Sequence, residues 1–226
     1  MKSKLTSIIT IDGTSSSGKT TISKILAKKL NFNLLDSGKL YRSVGYIASQ
    51  NKKSLDIIDN LDDLVSNISL KSNSDTYELE IFYKDKKIDH LLYDEYVGKA
   101  ASIVSKIPEV RNRMLAIQHS CVKGEGLIAN GRDMGSEVFP NANLKLYVNA
   151  SLEIRARRRF EELINRGENV VFEDVLESLR LRDESDMNRA ISPLKIPNNA
   201  HIIDTSSLNP NAIVDKILNL YTITEN

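Results

Sequence analysis

Apolar positions along the chain follow two alternating rhythms. Short runs without helical period, several of them rich in β-branched residues, occur at Thr6–Ile11, Asn33–Asp36, Leu127–Asn130, Leu144–Val148 and His201–Asp204. Their length and composition predict five buried strands. Between them, apolar residues recur at three- and four-residue spacing, as in Ile22, Ile25, Leu26 and Leu30. This spacing predicts helices near Lys19–Leu30, Lys39–Gln50, Pro108–Val122, Leu152–Arg166, Glu173–Arg182 and Pro210–Leu220. Strand and helix in turn imply an α/β fold, a five-stranded parallel sheet between helical layers. One segment breaks the rhythm. After Ile68-Ser69-Leu70 comes strict alternation at Tyr77, Leu79, Ile81 and Tyr83, a polar turn over Lys84-Asp85-Lys86-Lys87, and then Ile88. A small antiparallel β insert is expected here, within about residues 62–92. Long excursions from a compact domain tend to carry binding duties.

Composition narrows the functional classes. A chain of 226 residues suits one domain with an insertion. Lys and Arg total 31 against 30 Asp and Glu, so no large field steers the chain toward nucleic acid or an anionic membrane. Cys121 is the single cysteine, which forbids an internal disulfide and fits a reducing compartment. It shares an apolar period with Val110, Met114 and Ile117, the pattern of a core residue rather than a nucleophile. No apolar run reaches membrane-spanning length, and Met1-Lys2-Ser3-Lys4 leads into a strand, not a signal segment. The three histidines lack the spacing of a zinc site. A cytoplasmic enzyme is expected.

Chemistry enters between the first strand and the first helix. Gly13-Thr14-Ser15-Ser16-Ser17-Gly18-Lys19-Thr20 is a complete G-x-x-x-x-G-K-[ST] phosphate loop in its strand-to-helix context. The glycines let backbone N–H groups converge on phosphate oxygens, and the helix dipole adds positive potential there. Lys19 is placed to reach the β- and γ-phosphates of ATP or GTP, and Thr20 to ligate Mg²⁺, with Thr21 offering a second hydroxyl.

A second substrate is written at the mouths of other strands, where open α/β sheets bind ligands. Asp36-Ser37-Gly38 leads to Tyr41 and Arg42, and the Arg42 fork suits an acceptor phosphate. Asn130-Gly131-Arg132-Asp133 sets opposite charges at the end of another strand. A basic stretch follows at Arg155, Arg157, Arg158 and Arg159 with Arg166, and then come Arg180, Arg182, Asp183, Asp186 and Arg189. Part of this run is a solvated face; arginines also stabilise the charge of a transferring phosphoryl group. Spacing alone does not choose among them. Asp36 has two readings: it orients a magnesium-bound water, or it caps the next helix. An alcohol acceptor, as in shikimate-type kinases, would need Asp36 as base, whereas paired arginines favour a phosphate-bearing acceptor. A GTP-dependent switch is disfavoured, since Asn51-Lys52-Lys53-Ser54 fails the Asn-Lys-x-Asp pattern and no Asp-x-x-Gly occurs.

Read in order, Asp12-Gly13…Gly18-Lys19-Thr20-Thr21, Leu35-Asp36-Ser37-Gly38…Tyr41-Arg42, Gly131-Arg132-Asp133-Met134-Gly135 and Arg182-Asp183…Asp186…Asn188-Arg189-Ala190…Pro193-Leu194 resemble bacterial cytidylate kinases, from about Ile9 to the last helix. The resemblance implies transfer of the ATP γ-phosphoryl group to CMP or dCMP with Mg²⁺, by a monomer that binds neither nucleic acid nor membrane. It implies that Arg42 and Arg132 hold the acceptor phosphate, with Tyr41 beside Arg42. Ser102, Arg111 and Asp133 would read cytosine with Ser37 close by; Arg182 and Asp186 would contact ribose, with Arg189 next to them. It also implies a closing lid at about residues 153–172, in which Arg158 and Arg159 join Lys19 and Arg132 as catalytic candidates. The chain departs from the pattern in its Thr14–Ser17 loop interior, in Thr20-Thr21, and in Leu92-Tyr93-Asp94, where relatives carry an Ile-Arg-Thr-like turn.

Overall fold

β1 (Ser7–Gly13) buries nearly every residue, as its uninterrupted apolar run requires, and delivers the chain into α1 (Lys19–Leu30). In the computed structural model, residues 6–50, 61–207 and 209–225 are described. The Asn51–Ser54 and Met1–Lys4 segments lie outside them. After α1 the order is β2 (Asn33–Asp36), α2 (Ser37–Gln50), α3 (Leu61–Ser66), β3 (Ile68–Ser72), β4 (Leu79–Tyr83), β5 (Lys86–Lys87), α4 (Glu95–Val104), α5 (Pro108–Ser120) and β6 (Gly126–Asn130). Then come β7 (Leu144–Asn149), α6 (Leu152–Asn165), α7 (Phe172–Asn188), β8 (His201–Asp204) and α8 (Pro210–Glu225). Hydrogen bonding orders the five long-range strands β2-β6-β1-β7-β8, and β3-β4-β5 form a second, antiparallel sheet. The expected fold class is the observed one.

The chain divides into two compact units, residues 1–7 with 27–129 and residues 8–26 with 130–226. In the second, β1 runs parallel to β7 with Gly13 opposite Val148, and β7 parallel to β8 with Asn149 opposite Asp204. The close approach at Gly13 admits no side chain, because a Cβ would lie 1.9 Å from the Val148 carbonyl oxygen. Glycine is therefore required before any phosphate is considered.

In the first unit, Leu40, Val44 and Ile47 of α2 pack with Ile81, Leu92, Val104, Val110 and Met114 in one core. α2 and α4 cross closely at Gly45, where a Cβ would sit 2.9 Å from the Ala101 backbone nitrogen. Asp94 caps α4 by accepting the Tyr96 N–H at 2.7 Å. Neither α3 nor α4 was expected: α3 has only six residues, too few turns for a period to register, whereas the buried Val97, Ala101 and Val104 of α4 do stand at helical spacing. Two details of the insert also differ from expectation. Lys84 and Asp85 alone form the turn, both left-handed at φ 47° and 59°, a conformation that matches strand twist in a two-residue hairpin. Lys86 and Lys87 already pair with Tyr83 and Phe82. Tyr77 has φ 61° and stands outside β4. Its carbonyl accepts the Leu34 N–H at 2.7 Å, attaching the insert to the edge of β2.

Candidate active site

The second unit builds its constellation around the phosphate loop. Gly18 and Ser16 take left-handed φ values of 87° and 57°, so the loop curls as its motif demands. Thr14 Oγ1 donates to Asn149 Oδ1 at 2.9 Å and Ser17 Oγ to the Thr14 carbonyl at 3.0 Å. The buried Lys19 ammonium curls over the loop, donating to the Thr14 carbonyl and to Ser17 Oγ. Thr20 is exposed at the start of α1, and its hydroxyl accepts the Asn130 amide N–H at 3.2 Å. Thr21 is exposed beside it. A hydroxyl oxygen oriented in this way suits a hard cation, and magnesium typically takes few protein ligands and completes its shell with water and substrate phosphates. The residues therefore fit the ion expected from the motif.

Immediately ahead of the loop, Asp12 is fully buried. Its Oδ1 and Oδ2 each accept, at 2.8 Å, the backbone N–H of Met134 and of Gly135. These N–H groups open the π-helical turn Met134–Val138 that follows Arg132 and Asp133. Burial pushes the Asp12 carboxyl up to about 6, although both N–H groups and Lys19 oppose the shift. One carboxylate thus ties the end of β1 to the turn that carries two acceptor candidates.

Arg132 bridges three partners. Nη2 donates to Ser15 Oγ at 2.7 Å, Nε to Asp186 Oδ2 at 2.8 Å, and Nη1 to the Gly131 carbonyl at 3.2 Å. Arg189 lies between Asp133, at 3.7 Å, and Asp186, at 3.9 Å. Burial works against ionising Asp186, yet Arg132, Arg182 and Arg189 outweigh it and hold the carboxyl below its usual range. The structure thus gathers the loop, Arg132, Asp133, Arg182, Asp186 and Arg189 within one unit.

The arginine run of α6 sorts into different tasks. Arg158 donates to Thr205 Oγ1 at 3.1 Å and to its carbonyl at 2.6 Å, and the Thr205 hydroxyl donates onward to the Ser17 carbonyl at 2.8 Å. Arg159 pairs with Glu162 of its own helix at 3.0 Å. Arg155 turns inward to Asp183, at 2.6 Å, on α7.

In the first unit the remaining candidates line α2, α4 and α5. Asp36 Oδ1 accepts the Lys39 N–H at 3.2 Å, the capping geometry, while the Lys39 ammonium pairs with Asp89 at 2.5 Å. Ser37 is buried, its hydroxyl accepting from Gln118 at 2.9 Å. Arg42 donates through Nη1 to the carbonyls of Leu92, at 2.8 Å, and Asp94, at 3.2 Å. Its guanidinium rests on Gly98, where a Cβ would meet Nη2 at 2.8 Å. Arg111 donates to the Ser105 carbonyl at 3.1 Å and lies 5.4 Å from the centre of the Tyr41 ring. Ser102 is half-buried on α4.

Asp12, Asn130, Gln118, Asp183 and Thr205 hold these residues and were not read as site residues from the chain. Their partners lie up to 188 residues away, as for Thr205 and Ser17, beyond any local pattern. Cys121 is buried with its thiol pushed up to about 11 by burial, as its apolar period implied. Among the described residues no helix is long and apolar enough to cross a membrane.

Known proteins can now be set beside this geometry. A solved structure of an uncharacterized protein from Eubacterium ventriosum aligns with a TM-score of 0.55 at 14% identity, covering 97% of this chain and 99% of that one, which supports the fold alone. Cytidylate kinase of Aeromonas salmonicida is 37% identical over 211 residues, covering 93% of this chain and 92% of that protein. Cytidylate kinase 1 of Haemophilus influenzae is 38% identical over 211 residues, 93% and 91% of the two chains. A family model for cytidylate kinase matches residues 9–223. With a match of that extent, the chain belongs to the cytidylate kinase family.

Proposed function

We propose that this chain transfers the γ-phosphoryl group of ATP to CMP or dCMP, giving ADP and CDP or dCDP. Family membership supports the reading, and one observation carries it at the level of residues: Arg132 donates to Ser15 Oγ, so an acceptor-type arginine touches the loop that cradles the donor. The acceptor phosphate is already ionised near neutral pH, so no strong base is needed for in-line attack. Positioning and charge stabilisation then do the chemistry.

Lys19 takes the β/γ-phosphate charge, and the loop from Gly13 to Thr21 supplies backbone N–H groups. Arg132 and Arg42 hold acceptor phosphate, with Tyr41 supporting the α2 contribution. Ser37, Ser102, Arg111 and Asp133 are assigned to the base, and Arg182, Asp186 and Arg189 to the ribose side. Thr20 is the hydroxyl assigned to magnesium, an ion that neutralises charge on the bridging phosphate oxygens when bound. The capping bond of Asp36 favours its structural reading over a water-mediated role at the ion. Arg158, which reaches Thr205 beside the loop, is a stronger catalytic candidate than Arg159, which is engaged within its own helix. In this reading the chain is one kinase domain with a monophosphate-binding insert at about 62–92 and a lid at about 153–172, working as a monomer in the cytoplasm.

The test is an initial-rate panel of CMP, dCMP, UMP, AMP, dTMP and shikimate with ATP and Mg²⁺, read by ADP release. CMP and dCMP are expected to lead. Absence of turnover with both would overturn the reading, and preference for shikimate would reassign Asp36 as a base.

A further inference from the structure

All three polar groups of Ser15, the N–H, the carbonyl and the hydroxyl, have partners at hydrogen-bond distance. Its N–H donates to Asp183 Oδ1 at 3.2 Å, its carbonyl accepts from Arg155 Nη1 at 3.1 Å, and its hydroxyl accepts from Arg132 at 2.7 Å. The two partners on the backbone are paired with each other, Arg155 Nη1 to Asp183 Oδ2 at 2.6 Å, with side chains only 6% and 9% exposed. Arg155 Nε is anchored to the Ala150 carbonyl at 2.9 Å, just past β7. An ion pair buried this deeply loses hydration that an apolar pair of similar volume would not, so joining α6 to α7 is a poor reason for it. Its geometry supplies another reason. Asp183 takes the N–H on one side of the Ser15 Cα and Arg155 the carbonyl on the other, so together they fix the two peptide planes that flank Ser15.

We propose that Arg155 and Asp183 are positioning residues for the reaction: together they hold the two peptide planes flanking Ser15, and so set the curl of the phosphate loop and the site of the hydroxyl that receives Arg132. This rests on the reading of Gly13–Thr20 as the donor loop. The pair places Arg155 among the residues that shape the donor site before ATP arrives, and separates it in task from Arg158. The interaction is pre-organisation. Neither residue needs to touch either substrate.

The test replaces the pair as a unit. In R155M/D183L no charge is left buried without a partner, so the fold is expected to survive, as apolar replacements of buried pairs often do. ATP–Mg²⁺ affinity, titrated without acceptor, is expected to weaken about tenfold, the size expected from losing one or two buried hydrogen bonds. Backbone amides of residues 13–20 should exchange hydrogen faster while β7 and β8 remain protected. A folded double variant with unchanged ATP affinity and unchanged loop exchange would overturn the proposal. If that variant fails to fold, Arg155→Lys decides: it keeps the charge opposite Asp183 but cannot span Ala150, Ser15 and Asp183 at once. Weaker ATP binding, roughly threefold, supports the clamp, and wild-type binding overturns it. A wild-type protein that binds ATP but leaves CMP untouched would sink the acceptor assignment, and the ATP titration would still decide the clamp.

Discussion

The two units hold their arginines by different means. Around the phosphate loop three guanidinium groups have carboxylate partners, Arg132 with Asp186, Arg155 with Asp183, and Arg189 with Asp133 and Asp186, while Arg158 is held by Thr205. On α2 and α5, Arg42 is held by two carbonyl oxygens and Arg111 by a carbonyl and the face of Tyr41. A carboxylate partner offsets charge as well as fixing geometry, whereas a carbonyl chiefly orients the fork. The first arrangement gives a rigid loop whose polar groups are interdependent. The second aims the Arg42 and Arg111 forks through backbone carbonyls.

Substitutions should expose this difference. Lys19→Met is expected to lower kcat by about a thousandfold while circular dichroism stays native, because a charge placed on the transferring phosphoryl group is lost. Wild-type turnover in that variant would end the donor assignment. Arg132→Met should come next, with kcat/KM for CMP down about a hundredfold, and its loss should be felt at both Ser15 and Asp186. Arg42→Met is expected to raise KM for CMP about tenfold while leaving KM for ATP unchanged. Equal effects of Arg42 and Arg132 on both substrates would erase the contrast between the units. Gly98→Ala should raise KM for CMP only a few-fold, since its methyl would push the Arg42 guanidinium aside without touching the loop.

Asp12→Asn should disturb turnover least and the pH dependence of stability most. Burial raises the folded carboxyl from 3.8 to about 6, so the folded state binds the proton more tightly than the unfolded chain. Stability from this group is therefore present below about 4 and lost as pH rises through about 6, by an amount on the order of 2–3 kcal/mol. Asp186, held low chiefly against its own burial by three arginines, acts with the opposite sign. It stabilises above the ordinary carboxyl range and loses that contribution as acid protonates it. Thermal unfolding between pH 3 and pH 7 should show Asp12→Asn flattening the upper part of the curve and Asp186→Asn the lower part.

Much of the scaffold was readable along the chain because strands and helices impose local periods. The five sheet strands and six of the helices follow from β-branched runs and from apolar residues three and four apart. Helix α7 runs past its expected end at Arg182 to Asn188, since its polar last turns bury Asp183 and carry Asp186 without extending the apolar stripe. The phosphate loop was readable for a related reason: its glycines and lysine work through backbone geometry that a short motif encodes. What holds the loop was not. Asp183 meets Ser15 across 168 residues, and nothing in a run of arginines marks Arg155 as the one facing inward. Asp36 carries two readings along the chain, and only the bond from the Lys39 N–H to its Oδ1 adds support to the cap. Side-chain partnership is a three-dimensional property, and residue type alone leaves it open.

The near-contact of α2 and α4 at Gly45 makes a ruler of the first unit. Arg42 lies three residues before Gly45, and Ser102 follows Ala101, the residue whose backbone Gly45 approaches. With no side chain between the two backbones, repacking cannot change how closely α2 approaches α4 at this point. Under the proposed assignment of Arg42 to phosphate and Ser102 to the base, that fixed approach selects a nucleotide for length before its hydrogen-bonding pattern is consulted. A bulkier residue at position 45 would lengthen the gauge, and with it the preferred substrate.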